Sequence, residues 1–412
     1  MVDYRSLSDS DADRELFHNF VNYAFRPQEG PPAFDPDEED DEEWALWDNR
    51  VVYGDDDEPR CVCRHYWFET TLRGVPVEMP GLSAVASPPE HRRDGNVRRM
   101  LRASLEEYDE REAPICALWP FQYSFYHKYG WDTCNHRSEL SFDPEVLEPV
   151  LDGQDAGGTF RQLDADDWEA VDAVYQEMTA DEDLGVDRTE DWWRHRRFEG
   201  WDDDPFVYGW ERDGELRGYV FYEFESGDDG RTMATWELGH VDHEAFLACL
   251  QFCYNHDSQV SEVTLHRGVD PLFLDLVEDT YDVEITQKPG PMVRVVDVVR
   301  ALETIPYAES VETTLTFDVS DPLADWNDGR FELSVEDGTG VCERLDSQDM
   351  DTESGPQPDV NLDIAALSQL VVGYHEFDRL ALSANVEPRN DDARADLAAL
   401  FPPQETFLRD FF

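Results

Sequence analysis

One segment constrains this chain more than any other: Leu82-Ser-Ala-Val-Ala-Ser-Pro-Pro-Glu-His-Arg-Arg-Asp-Gly-Asn-Val-Arg-Arg-Met100. A short apolar run, Leu82 to Ala86, predicts a buried strand, and Pro88 and Pro89 turn the chain after it. Val97, Leu101, Leu105 and Tyr108 then recur at spacings of four, four and three, one apolar face of a helix. A strand that passes through a basic, glycine-bearing loop into a helix N-terminus makes an anion site. The first helical N–H groups point outward and carry the positive end of the helix dipole. Gly95 lets the backbone approach a ligand closely. Arg92, Arg93 and Arg98 supply forked donors suited to phosphate, and the ligand that fits carries a pyrophosphate. The segment is neither a Walker loop nor a dinucleotide fingerprint, because it lacks G-K-[ST] and has a single glycine. From the loop alone, a solvated basic turn on a helix stays open as the alternative.

These arginines stand out because the rest of the chain is acidic. Formal net charge is −62, and lysine occurs only at Lys128 and Lys288. That excess excludes nucleic acid as a partner. Acidic residues in every segment, with lysine nearly absent, predict a protein adapted to molar salt, of haloarchaeal type, where screening removes self-repulsion. The acidic run from Asp35 to Glu43 reads as a solvated loop. A hydrophobic fraction of 40% over 412 residues supplies cores for two or three domains. The polar, acidic N-terminus does not read as a signal peptide. No apolar run reaches membrane-spanning length, so no membrane partner is expected. Seven scattered cysteines suit a reducing cytoplasm. Cys61, Cys63 and His65 alternate along one strand face and read as core, since a metal site wants a fourth ligand. No metal is expected, and neither an H-E-x-x-H nor a G-x-S-x-G pattern occurs.

Residues 1–150 read as mixed α/β. A helix over 14–25 places Leu16, Phe17, Phe20, Val21 and Ala24 on one face. Residues 51–53, 60–68, 75–79 and 82–86 read as successive strands, and 115–119 as the strand after the central helix. Residues 151–295 repeat the pattern after a polar, glycine-rich linker at 152–158. They contain a helix over 164–178, a hairpin turning at Asp213-Gly214 between 206–210 and 219–224, a strand over 232–238, a helix over 244–254 and a strand over 260–266. The junction Gly239-His-Val-Asp-His-Glu244 has no arginine and no counterpart of Gly95, so this half reads as a degenerate copy unable to hold pyrophosphate. Residues 296–412 change character, with strands over 313–319, 329–335 and 341–344 and a helix over 363–372. Phe407, Phe411 and Phe412 predict a terminus that is docked rather than frayed.

The loop Arg92-x-x-Gly95 resembles the acyl-CoA pyrophosphate motif of the GNAT acetyltransferases. Ala117-Leu-Trp-Pro-Phe-Gln-Tyr-Ser-Phe-Tyr126-His-Lys-Tyr-Gly130-Trp is similar to the W…Y-x-x-F-G-Y segment of the enhanced intracellular survival (Eis) family. The length and the aromatic last residue fit that family too. The resemblance is specific over residues 75–135, moderate in the C-terminal third and weak in the middle. It implies an α/β (α+β) chain of tandem GNAT domains: an acetyl-CoA-binding domain at 1–150, a degenerate second at 151–295, and a sterol-carrier-like domain at 296–412. It also implies a homohexamer, in the cytoplasm that the scattered cysteines suit.

The resemblance further implies an acetyl-CoA-dependent N-acetyltransferase. Backbone donors around Val85, Ala86 and Ser87 would bind pantetheine and polarise the thioester carbonyl. Arg92, Arg93, Asp94, Gly95, Asn96, Val97 and Arg98 would hold the pyrophosphate, with further contacts from Phe121 and Gln122. The family often has a small hydroxyl residue at the first of these two, so Phe121 departs from its pattern. Tyr126 aligns with the family's general acid, and a phenol with a pKa of about 10 suits a departing thiolate. Without that register, Tyr123 and Tyr129 stand level with it. The family's base is the α-carboxylate of the last residue, here Phe412. A carboxyl with a pKa of about 3.5 would act through a water or after burial raises it. Family members acetylate amines, including aminoglycosides and lysine side chains, and Phe25, Trp44, Trp47 and Glu405 are candidate acceptor contacts. Two alternatives remain: a non-catalytic CoA or lipid sensor on a GNAT scaffold, and an acyltransferase using longer thioesters.

Overall fold

The computed structural model describes residues 3–31, 33–36, 44–153, 157–200, 204–227, 230–267, 272–345, 357–383 and 385–412. Most of the acidic run (37–43) and part of the expected linker (154–156) lie outside the described residues. The chain divides into two compact units. One comprises Met1–Cys134, Asp183–Asp187 and Pro291–Phe412, the other Asn135–Glu182 and Arg188–Gly290.

The first unit holds a seven-stranded sheet in the order β1 (Asp3–Ser6), β2 (Asp48–Tyr53), β3 (Pro59–Leu72), β4 (Val75–Ala86), β5 (Ile115–Leu118), β14 (Met292–Val295), β6 (Asp132–Thr133). Alternation along β3 sends Val62 to one face and Cys61 and Cys63 to the other. Helix α1 (Asp11–Phe25) packs Phe17 against Val51, Val62 and Ala86. Helix α2 (Asn96–Glu110) packs Met100, Leu101, Leu105 and Tyr108 against Cys61, Cys63, Leu82 and Leu118. Cys61, Cys63 and His65 are buried, as a core strand face should be.

One sequence expectation is corrected here. Residues 75–79 and 82–86 form one strand, β4, because Pro80 and Gly81 continue the ladder opposite Trp67 and Tyr66. The N-terminal segment of the first compact unit runs to Cys134, and β14, from beyond the second half of the chain, enters between β5 and β6. All four residues of β14 are buried. A short strand buried on both faces takes its place by fit, which nothing local to its sequence reports.

The same unit contains a five-stranded sheet in the order β17 (Thr339–Arg344), β16 (Gly329–Glu336), β15 (Thr313–Ser320), β18 (Val360–Asp363), β19 (Val386–Pro388). Helix Ile364–Val372 is buried along its whole length. Ser368 Oγ accepts from Val295 N at 2.8 Å, and Gln369 Nε2 donates to Thr133 O at 2.9 Å, which fixes the C-terminal sheet's helix against β14 and β6. Arg294 on β14 pairs with Asp321, both side chains wholly buried, and donates to Tyr129 O.

The second unit is built on the sheet β13 (Val283–Pro289), β7 (His136–Phe142), β12 (Glu262–Arg267), β11 (Gly230–His240), β10 (Glu215–Gly227), β9 (Phe206–Arg212), β8 (Thr159–Gln162). The expected hairpin is present, with Asp213 and Gly214 at φ +56° and +87°. Helices Trp168–Met178 and His243–Tyr254 cover this sheet.

Candidate active site

The site starts from a defect in β4. Val62 pairs with Ala86 and Arg64 with Ser83, so two residues of β4 face the single Cys63. Ala84 takes φ +48°, and this bulge turns the end of the strand. On the other side, the ladder to β5 registers only Gly81 with Ala117 and Leu82 with Leu118. Beyond Leu82 the two strands part. The β5-facing edge of Ser83–Ala86 is therefore open to an extended ligand carrying amides. Val85 is half-buried and Ala86 buried on this stretch. Ser87 follows, with its hydroxyl donated to Arg60 O at 2.9 Å.

The basic loop turns back on that strand end. Arg92 Nε donates to Ser87 O at 2.8 Å. Arg93 and Gly95 adopt φ +69° and +77°, and Asp94 and Gly95 are exposed. A Cβ on Gly95 would meet nothing within 4 Å, so the glycine serves the left-handed turn and leaves the space in front of α2 open. Gly95 caps α2 without any side-chain acceptor, so the helix's first N–H groups are left for a ligand. Asn96 is buried and donates from Nδ2 to His91 O at 3.0 Å. Val97 packs on the α2 core. Arg98 has a second task, donating to Pro322 O at 2.9 Å. Sequence reasoning missed Arg99, which bonds Asn96 Oδ1 at 2.9 Å and Asp94 O at 3.2 Å and so pins the loop. Its adjacency to Arg98 was the available signal.

Tyr126 lies on the short helix Tyr123–His127 beyond β5, in the apolar cluster that holds Leu82, Leu118 and Cys63. Its ring meets Phe125 at 5.1 Å, Phe121 at 5.6 Å and Trp131 at 6.3 Å, all edge-on. Burial pushes its hydroxyl well above the ordinary phenol range. The competitor Tyr123 donates to Asp132 Oδ1 at 2.7 Å and is half exposed. Tyr129 packs at the edge of the same cluster as Tyr126. Phe121 and Gln122 stand exposed on the turn before this helix.

The C-terminal residue docks on the opposite face. The Phe412 ring lies 4.9 Å from Phe68 and 5.6 Å from Tyr66. A Cβ on Gly81 would come within 2.8 Å of it, so the glycine in β4 admits the terminal ring. Trp119, next after β5, donates to Asp410 O at 2.8 Å and packs on Phe411 at 5.3 Å. Gly81 and Leu82 are successive residues of β4. Phe412 sits over the first, and Tyr126 shares a cluster with the second on the other face. Among the acceptor candidates, Trp47 is buried, 5.7 Å from Tyr66 and beneath the Arg64 guanidinium at 3.5 Å, and Trp44 packs on Phe17 at 6.0 Å. Phe25 and Glu405 are exposed and are not brought into this group among the described residues.

The equivalent junction in the second unit is closed. Asp242 caps helix His243–Tyr254 by accepting from Ala245 N at 2.8 Å. A carboxylate occupies the place where α2 presents bare N–H groups. Gly239 is filled by the Tyr219 ring. Among the described residues no group of side chains forms a metal site, and no helix is long and apolar enough to cross a membrane.

Comparison with known proteins bears on the fold. Acetyltransferase (GNAT) domains match residues 3–134 and 184–295, and a sterol carrier protein domain matches 298–409. An uncharacterized N-acetyltransferase of Streptomyces avermitilis is 28% identical over 364 residues, 84% of each chain. N-acetyltransferase Eis of Mycobacterium tuberculosis is 25% identical over 332 residues, 78% of this chain and 77% of that one. A probable N-acyltransferase of Enterococcus faecalis superposes with a TM-score of 0.85 at 21% identity, covering both chains completely. Eis1 of Mycobacterium abscessus superposes at 0.76 and 23% identity, again over both whole chains. Tandem GNAT domains followed by a sterol-carrier-like domain are thus the architecture of this chain, and its likeness to Eis-type N-acetyltransferases runs over most of its length.

Proposed function

We propose that this acyltransferase moves an acetyl group from acetyl-CoA to an amine by direct transfer, at the parting of β4 and β5. The observation that carries the reading is an open β4 edge beyond Leu82, with the terminal ring docked on Gly81 and a buried phenol in the core cluster of the other face. Pantetheine lies along Ser83–Ser87, where backbone N–H groups bind its amides and polarise the thioester carbonyl. The pyrophosphate rests on the N-terminus of α2, with Arg92, Arg93 and Arg98 around it. The amine enters on the Phe412 face, and the α-carboxylate of Phe412 accepts its proton, directly or through a water. The amine nitrogen attacks the carbonyl carbon, the tetrahedral intermediate collapses, and Tyr126 gives its proton to the sulfur from the α2 face. Burial keeps the Tyr126 hydroxyl in its protonated, donor form, ready beside the sulfur when the thiolate leaves. One site per chain follows from the capped second junction. Adaptation to molar salt, a cytoplasmic setting and a homohexamer belong to this reading, supported by the charge of −62 and by the family resemblance.

Thiol release in molar KCl, with acetyl-, propionyl-, hexanoyl- and myristoyl-CoA and a panel of amines, tests the reading. Amine-dependent release fastest with acetyl-CoA is expected. Binding without release would favour a sensor, and preference for the long chains would favour a lipid acyltransferase.

A further inference from the structure

Residues Asp183–Asp187 belong to the first unit although the chain on both sides of them belongs to the second. They lie in strand-like fashion between the end of β3 and the C-terminal segment. On one edge, Leu184 N donates to Thr71 O at 2.9 Å and Asp187 N to Glu69 O at 2.8 Å, with Val186 bridging Thr70. On the other edge, Asp183 N donates to Glu405 O at 2.8 Å and Phe407 N to Asp183 O at 2.9 Å, a parallel bridge to Thr406. The Asp183 side chain is buried and accepts from the backbone of the β3–β4 turn, Arg73 N at 2.9 Å and Gly74 N at 3.2 Å. Arg73, also buried, spends its guanidinium on three carbonyls: Val371 O at 2.7 Å, Leu370 O at 2.8 Å and Pro402 O at 2.9 Å. Its backbone is left-handed, at φ +50°.

We infer that Asp183 and Arg73 form a clasp that fixes the register of the C-terminal segment, and so act as positioning residues for the carboxylate of Phe412. The inference rests on the proposed role of that carboxylate. Register matters because a slip of one residue at Thr406 moves the terminus by up to about 3.3 Å and turns side chains to the opposite face. Misplacement of a catalytic group by about 1 Å can cost about 10²-fold in rate. The clasp thus accounts for two buried charged residues that touch neither the basic loop nor Tyr126.

The test uses the full chain with Asp183→Ala, Asp183→Asn and Arg73→Gly, the last of which suits the left-handed turn while removing the guanidinium. Carboxypeptidase release of phenylalanine reads docking, and steady-state kinetics read placement. In Asp183→Ala and Arg73→Gly, release should quicken at least tenfold and kcat fall at least tenfold. The acetyl-CoA Kd should stay within twofold, which also shows that the variants are folded. Asp183→Asn, which keeps one acceptor oxygen, should fall between. Added formate should restore part of the lost rate, as it would for a displaced base and not for a damaged fold. Wild-type release in both strong variants overturns the inference, and so does fast release with wild-type kcat. Failure of the base assignment itself is separate: it would appear as an undiminished rate in a protein lacking Phe412.

Discussion

In the proposed mechanism, a phenol buried among Phe121, Phe125 and Trp131 and a carboxylate tied to the ring on Gly81 divide the proton work between two faces of one sheet. Tyr126→Phe removes the acid without touching the basic loop. Its kcat should fall by about 10²–10⁴, with acetyl-CoA affinity within twofold by calorimetry. A second residue controls stability rather than turnover. His65 is completely buried within hydrogen-bond reach of the Tyr4 hydroxyl and Ser104 Oγ, with Cys63 Sγ at 3.4 Å and Glu107 at 3.6 Å. Burial, reinforced by Arg50, lowers its pKa to about 3. A depressed histidine is neutral in the folded protein and takes its proton first in the unfolded chain. Its contribution is therefore present in full above the unfolded pKa of about 6.5 and is lost as pH falls from there towards 3. Between pH 7 and 5 the wild-type protein should lose about 2 kcal/mol that a His65→Asn variant, compared by thermal melts at both pH values, does not.

At the scale of elements, the proposed active apparatus is one strand that leaves its neighbour. Gly81→Ala should show how finely it is set. The new methyl would press the Phe68 and Phe412 rings, a strain of about 1–3 kcal/mol, and lower kcat more than acetyl-CoA affinity, as steady-state and binding measurements would separate. Much of this apparatus was legible in the sequence. The apolar spacing from Val97 to Tyr108, the prolines before it and Gly95 fixed the strand, loop and helix, because all three signals are local. The bulge at Ala84 was not legible, since alanine carries no mark of a left-handed conformation. Nor was the entry of β14 into the first sheet, because nothing local to the four buried residues Met292–Val295 marks which sheet they join. The docking of the terminus was legible from its phenylalanines, but the clasp that holds it was not. Arg73 and Asp183 are 110 residues apart, and neither stands out against so many charged neighbours.

For the whole molecule, charge and burial pull in opposite directions. The Arg294–Asp321 pair lies wholly inside the first unit, where it joins β14 to the C-terminal domain. Asp321→Ala would leave a buried guanidinium uncompensated and should cost about 3–5 kcal/mol in denaturant unfolding. Across the surface, −62 charges repel one another over a Debye length of about 10 Å at 0.1 M salt and about 3 Å at 1 M. The melting midpoint should accordingly rise steeply between 0.1 M and 3 M KCl, and an equal midpoint in both would contradict adaptation to salt. The central claim is narrower: one bare helix N-terminus behind one basic loop makes this chain an acetyl-CoA enzyme. Calorimetric titration with acetyl-CoA in molar KCl tests it most directly. The account predicts one site per chain and a loss of at least tenfold in affinity for Arg93→Glu, whose exposed side chain lies in that loop. Two equivalent sites per chain, or wild-type affinity in Arg93→Glu, would contradict it.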